Sequence, residues 1–196
     1  MFVAQLRRAL LAVLCSVPAI AVSACIAPQY PLGADNDQLS VGRLRSVWPV
    51  EVVVPPVKNV SGEDDLPLER FRSELRRGLV HRRYTPLAQG FVDRSITEAS
   101  YRPGSLGEQA VLEVTITGWN TSRWRSHAAL TVDLDIVMLD ATDPDPSKAL
   151  WGGHATRNVD LSRERNSYLS EAALLDRAVE VAVEGVLASL PRREGE

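Results

Sequence analysis

The sequence predicts an α/β fold of the α+β sandwich type: a mixed sheet in which a βαβ unit is followed by an antiparallel three-strand meander, with helices packed on one face and a long C-terminal helix. Three observations predict it. Leu112, Val114 and Ile116 alternate with Glu113, Thr115 and Thr117, and Leu130, Val132, Leu134, Ile136 and Met138 alternate with Thr131, Asp133, Asp135 and Val137. Period-two patterning of this kind buries one face of a sheet and leaves the other mostly wet. Ahead of it, a β-branched run at 50–54, an amphipathic segment from Leu68 and a strand candidate at 84–88 have the spacing of a right-handed βαβ unit. After it, Leu169, Ala172, Leu175, Val179, Ala182, Val183, Val186, Leu187 and Leu190 draw a broad apolar stripe over 168–190, stopped by Pro191.

Composition fits one domain. The chain has 196 residues, 45% apolar and 24% charged, enough to bury a core and unlike collagen or a disordered chain. A formal charge of −3 gives no global basic field, so no nucleic-acid partner is expected. Two cysteines cannot make a disulfide-rich scaffold.

The first 25 residues divide into Arg7 and Arg8, an uncharged run from Leu10 to Val22, and the small residues Ser23 and Ala24 before Cys25. This is the layout of a secretory signal peptide. The apolar run spans about 13 residues, short of the roughly 20 that cross a bilayer. Val22-Ser23-Ala24-Cys25 resembles the lipobox of bacterial lipoproteins. The resemblance implies cleavage after Ala24, a diacylglycerol on the Cys25 thiol and an acylated, palmitate-bearing amine. An ordinary signal with an unrelated cysteine and a plain anchor helix are the competing readings. Cleavage removes Cys15, leaving Cys25 as the lone cysteine, so no intrachain disulfide is expected. Two or three acyl chains hold a protein on a membrane where one is marginal. Ile26, where an Asp would retain a Gram-negative lipoprotein at the inner membrane, implies by analogy the outer membrane, facing the periplasm.

The expected organisation is a signal peptide at 1–24, the lipidated cysteine and a tether rich in Pro, Gly and Asp at 25–46, a single domain at 47–190 and a charged tail at 191–196. Within the domain, Val50–Val54 is a strand ended by Pro55-Pro56, and 61–65 is a loop. Phe71, Leu75 and Leu79 give the first helix an apolar stripe. Arg70, Arg72, Arg76, Arg77, Arg82 and Arg83 read as its solvated face. A short strand over 84–88 and a weaker helix over 91–100 follow. The meander is completed by the connection 118–127, an Asp- and Pro-rich turn at 140–148 and a strand at 149–159.

Several local motifs carry a wider resemblance: Val53-Val54-Pro55-Pro56-Val57-Lys58-Asn59, Tyr84-Thr85-Pro86-Leu87, Ala110 to Trp119, and Ala149-Leu150-Trp151-Gly152-Gly153. With the lipobox and the element order, they resemble a group of bacterial envelope lipoproteins related in fold to the curli-secretion lipoprotein and the N-terminal domain of TolB. Arg83 departs from that pattern, where relatives often carry Gly before the Tyr. The resemblance implies a role in envelope assembly, secretion or attachment through protein contacts. It supplies no reaction.

No catalytic residue, metal site or cofactor is expected. His81, His127 and His154 have no metal-ligand spacing, and there is no G-x-S-x-G, P-loop or G-x-G-x-x-G. Glu113, Asp133 and Asp135 read as a solvated sheet face. Pro144 and Pro146 break any calcium-loop spacing among Asp140, Asp143 and Asp145. Trp119, Arg123, Trp124 and Arg125 fall within seven residues and are of the types enriched at binding hot spots. They are the candidate partner contact, against the alternative of a hairpin end closing the core. The functional expectation is a non-enzymatic interaction module, anchored to the membrane through Cys25 and contacting envelope proteins. The alternative is an auxiliary of lipid or lipopolysaccharide transport. Partner and oligomeric state are not legible.

Overall fold

The computed structural model describes residues 35–165 and 169–194. The expected signal peptide, Cys25, the first part of the tether, Tyr168 at the head of the last helix and the final two residues of the tail lie outside the described residues. Among those described, eight strands form one mixed sheet: β1 (Asn36–Asp37), β2 (Ser40–Val41), β3 (Glu51–Val53), β4 (Lys58–Asn59), β5 (Thr85–Pro86), β6 (Ala110–Asn120), β7 (Ala129–Asp140) and β8 (Trp151–Asp160). Their order is β1-β8-β7-β6-β3-β5, with β2 beside β8 and β4 beside β6. The helices are α1 (Leu44–Val47), α2 (Leu68–His81), α3 (Gln89–Thr97), α4 (Trp124–His127) and α5 (Glu171–Leu187).

The meander is as the alternation predicts: β6, β7 and β8 pair antiparallel in sequence order. The βαβ unit is also present, with β3 and β5 parallel on either side of α2. Pro55 and Pro56 have no N–H to give a ladder. The chain therefore pairs with β6 twice, through β3 at Ala110 and Val111 and again through β4 at Thr115 and Ile116.

Alternation places Val52, Ala110, Leu112, Val114 and Ile116 on one side of the sheet, where Phe71, Leu75 and Leu79 of α2 and Leu174, Val179, Val183 and Val186 of α5 close the main core. Val53 and Val111 meet Val92 and Ile96 of α3 in a separate small cluster. Successive strand residues point to opposite faces. α2 and α5 therefore cover the expected face, while α3 covers part of the other.

α2 ends in a Schellman motif. Tyr84 N–H donates to Leu79 O at 3.0 Å and Arg83 N–H to Val80 O at 2.9 Å, with Arg83 at φ +67°. That left-handed conformation is the physical reason a glycine suits this position. Ser170 caps α5, its Oγ accepting from Ala173 N–H at 3.2 Å.

The expected tether is shorter than 25–46. β1 and β2 pair antiparallel with β8, and Leu44 of α1 is fully buried. Pro and Gly content gave the stretch a linker-like composition, yet each two-residue strand needs only backbone to pair. The tail is also tied down at its start: Tyr84 Oη donates to Pro191 O at 3.0 Å and Arg193 N–H to Arg82 O at 3.0 Å.

Arg77 and Arg83 are exposed as expected, but Arg72 and Arg76 do not belong to a solvated face. Arg72 is 1% exposed, donating to Val54 O at 2.9 Å and pairing with Asp93 at 2.6 Å. Arg76 donates to Leu87 O at 3.1 Å, and Arg77 pairs with Glu74 and with Glu180 of α5. A guanidinium on a long stem reaches backbone acceptors beside the apolar stripe, so charge alone did not predict exposure.

Candidate interaction surface

Counting by twos from Leu112, Trp119 should fall on the solvated face of β6. Ile116 faces Leu134 and Gly118 faces Asp133, so Thr117 is an extra residue and the register shifts. Such a bulge exchanges the faces of everything after it. Trp119 is thereby turned to the helix side and packs on the main core. It stands edge-on to Phe71, ring centroids 5.9 Å apart and planes at 75°, a favourable aromatic geometry. A Cβ at Gly118 would lie 2.5 Å from Asp133 Oδ2, so any larger residue at the bulge must displace the Asp133 side chain.

The chain then turns through α4. Trp124 N–H donates to Thr121 O at 2.8 Å, and Ala128 closes the turn at φ +50°. Trp124, also partly buried, packs on the core edge, while Arg125 is exposed. Two adjoining hollows result. One, of about 500 Å³, is lined by residues including Glu63, Asp65, Trp119, Trp124, Arg125 and Glu171. The other, of about 430 Å³, is lined by Trp124, Arg125, Ala128, Arg165, Glu171 and Leu174. The structure thus brings both Trp residues and Arg125 to one end of the sheet, next to the start of α5. Both rings serve the core with part of their surface and leave part accessible.

The sheet-face carboxylates singled out in the sequence are each paired. His154 Nδ1 lies 2.9 Å from Asp135 Oδ1, Thr156 Oγ1 donates to Asp133 at 2.6 Å and Lys58 Nζ to Glu113 at 3.1 Å. Ser40 and Ser147 share a hollow with His154. They give their hydroxyls elsewhere, to Gly152 O and to Asp145. Asp140 accepts from the hydroxyl and N–H of Thr142 at 2.7 and 2.9 Å, which holds its carboxyl below the usual carboxylate range. Lys148 Nζ lies 2.9 Å from Asp143. The acidic turn is thus a hydrogen-bonded hairpin end. Among the described residues no group of three or more His, Cys, Asp or Glu is placed to hold a metal. No described helix is long and apolar enough to cross a membrane.

Arg157 was not singled out in the sequence. It is 5% exposed between β8 and α5, makes a two-pronged contact with Asp37 of β1, and donates to Gly185 O at 2.9 Å. Its position was legible in parity: Trp151, Ala155 and Val159 point inward, and 157 shares their face. Its partner was not, since Asp37 fell in the expected tether.

No family model matches the chain, and no curated protein does. Solved structures do. PelC from Paraburkholderia phytofirmans, a dodecamer in two crystal forms, superposes with a TM-score of 0.52 in both, at 15% and 13% identity. Each match covers 82% of this chain and 99% of that one. Lipoprotein GNA1162 from Neisseria meningitidis gives a TM-score of 0.49 at 22% identity, over 72% of this chain and 100% of that one. The likeness to PelC is one of fold, and the fold is the one the sequence motifs implied.

Proposed function

We propose that the chain is a bacterial lipoprotein, acylated on Cys25, whose body is a non-enzymatic accessory module in envelope assembly, secretion or surface attachment. The observation that carries this reading is the lipobox Val22-Ser23-Ala24-Cys25 ahead of the body that runs from β1 to α5. Likeness of that body to PelC, a protein that assembles with copies of itself, supports a role exercised through protein contacts. The mechanism is tethering. An acylated N-terminus confines the body to a surface and raises its effective concentration for partners there. Trp119, Arg123, Trp124 and Arg125 are the proposed contact with the membrane surface and what it carries, and the outer membrane, on its periplasmic side, is the proposed location.

Labelled palmitate fed to an expressing Gram-negative host tests the anchor. Label should enter the wild-type chain and be absent from Cys25→Ala. A wild-type chain without label, or a mature amino terminus elsewhere than Cys25, overturns the reading. Crosslinking in the envelope should recover partners with wild type above the Cys25→Ala background. Recovery no higher than that background overturns the accessory role.

A further inference from the structure

We infer that the end of the body carrying Trp124, Arg125 and Arg165 rests on the lipid headgroups of the membrane that holds Cys25. This deepens the anchored reading above, on which it rests, by assigning the surface that meets the bilayer. The direction of β1 is the first argument. Asn36 faces Thr156 and Asp37 faces Ala155 in antiparallel register, and Asp35 Oδ1 accepts from Asn158 N–H at 2.8 Å. Followed back toward Cys25, the chain therefore leaves at the Asp160 end of β8. That end also holds Ala129 opposite Asp160, and Leu161 N–H donates to Ala128 O at 3.0 Å. The turn from Trp124 to Ala128 lies there.

Reach is the second argument. Ten residue steps separate Cys25 from Asp35, spanning at most ~36 Å fully extended. β7 has 12 residues and is about 40 Å long. Asp35 stands level with Val132 of β7, so the opposite end at Asp140 lies eight residues, about 27 Å, along the sheet, and reaching it would take most of that extension folded back along β8. The near end is reached with the least extension.

Chemistry is the third. Trp124, Arg125 and Arg165 line one hollow with Ala128, Leu174 and Glu171. Arginine pairs with lipid phosphate through parallel N–H donors, and tryptophan sits at headgroup depth. Glu63 and Asp65 line the neighbouring hollow and confine the lipid contact to the Arg165 side.

The test uses the full acylated protein in vesicles of phosphatidylethanolamine and phosphatidylglycerol containing spin-labelled headgroups. Ser122→Cys and Ser105→Cys place a fluorescent label at the near and far ends; both serines are exposed. Cys25, being acylated, does not compete for the label. The label at 122 should be quenched at least threefold more than that at 105, and Arg125→Glu with Arg165→Glu should reduce that quenching at least twofold. Equal or reversed quenching overturns the orientation. Quenching at 122 that the double variant leaves unchanged overturns the lipid-phosphate contact. Protein that does not float with the vesicles overturns the anchor itself, and the orientation with it.

Discussion

Arg157 is a charge held in the space between β8 and α5, and its neighbours are arranged around that fact. Asp37 neutralises it and Gly185 makes room, since a Cβ at 185 would stand 2.8 Å from Arg157 Nε. Removing one partner of a buried pair leaves the other charge uncompensated. Asp37 is itself part-exposed, so water screens the pair, and Asp37→Ala should cost about 1–2 kcal/mol in urea unfolding. It should also speed proteolysis within 35–41, because the pair holds β1 on the sheet. Arg83 offers the opposite prediction. A non-glycine residue in the left-handed region costs roughly 1 kcal/mol. Arg83→Gly should raise stability by about that amount, read as an increased urea midpoint at unchanged slope. An unchanged or lower midpoint would mean that the Arg83 side chain contributes more than its backbone strain.

At the scale of elements, backbone irregularities decide which side chains meet. The bulge at Thr117 sends Trp119 to Phe71. The Pro55-Pro56 break lets one segment pair with β6 at two places. At the start of β8, Gly152 has φ +141°, and a Cβ there would overlap Ile136 O, a backbone atom that cannot move aside. Gly152→Ala should cost 3 kcal/mol or more, roughly the sum of a forbidden conformation and an overpacked contact. Circular dichroism of the purified domain should show a lowered melting temperature or a failure to fold. α2 and α5 approach closely over Gly78, where a Cβ would overlap Leu187 Cδ1. The ion pairs Arg77–Glu180 and Arg70–Asp176 bridge the same two helices.

For the whole molecule, the charges set a pH window. Asp140, Asp160 and Glu180 are held below their ordinary values, the first two chiefly by hydrogen bonds from Thr142 and Ser162, Glu180 by Arg177 and Arg77. A depressed carboxyl stabilises the fold above its unfolded pKa, near 4, and that contribution is lost as pH falls through the folded value. Burial pushes the Tyr84 phenol up to about 12 and raises Tyr101 as well. A raised phenol contributes fully below its unfolded value near 10 and loses that contribution as pH climbs toward the folded one. Urea midpoints should therefore be flat between roughly pH 5 and 9 and fall on both sides. A midpoint still rising below pH 4 would contradict the assigned carboxylate contacts.

Period-two and helical patterns determined the meander, the βαβ unit and the long last helix, because each of those is a face repeated along the chain and buried by the hydrophobic effect. The same local reading singled out Trp119, Trp124 and Arg125 by residue type, and Cys25 by its neighbours. Three things were decided only in the tertiary structure. The bulge changed the face of Trp119, the edge of β8 recruited residues 36–41 from an apparent linker, and Arg72 and Arg76 of α2 found backbone acceptors. Each depends on a partner distant in sequence: Asp133, Arg157, Val54. A backbone edge or a carbonyl will bind any chain brought to it, so no pattern within the short segment itself records that it will be bound.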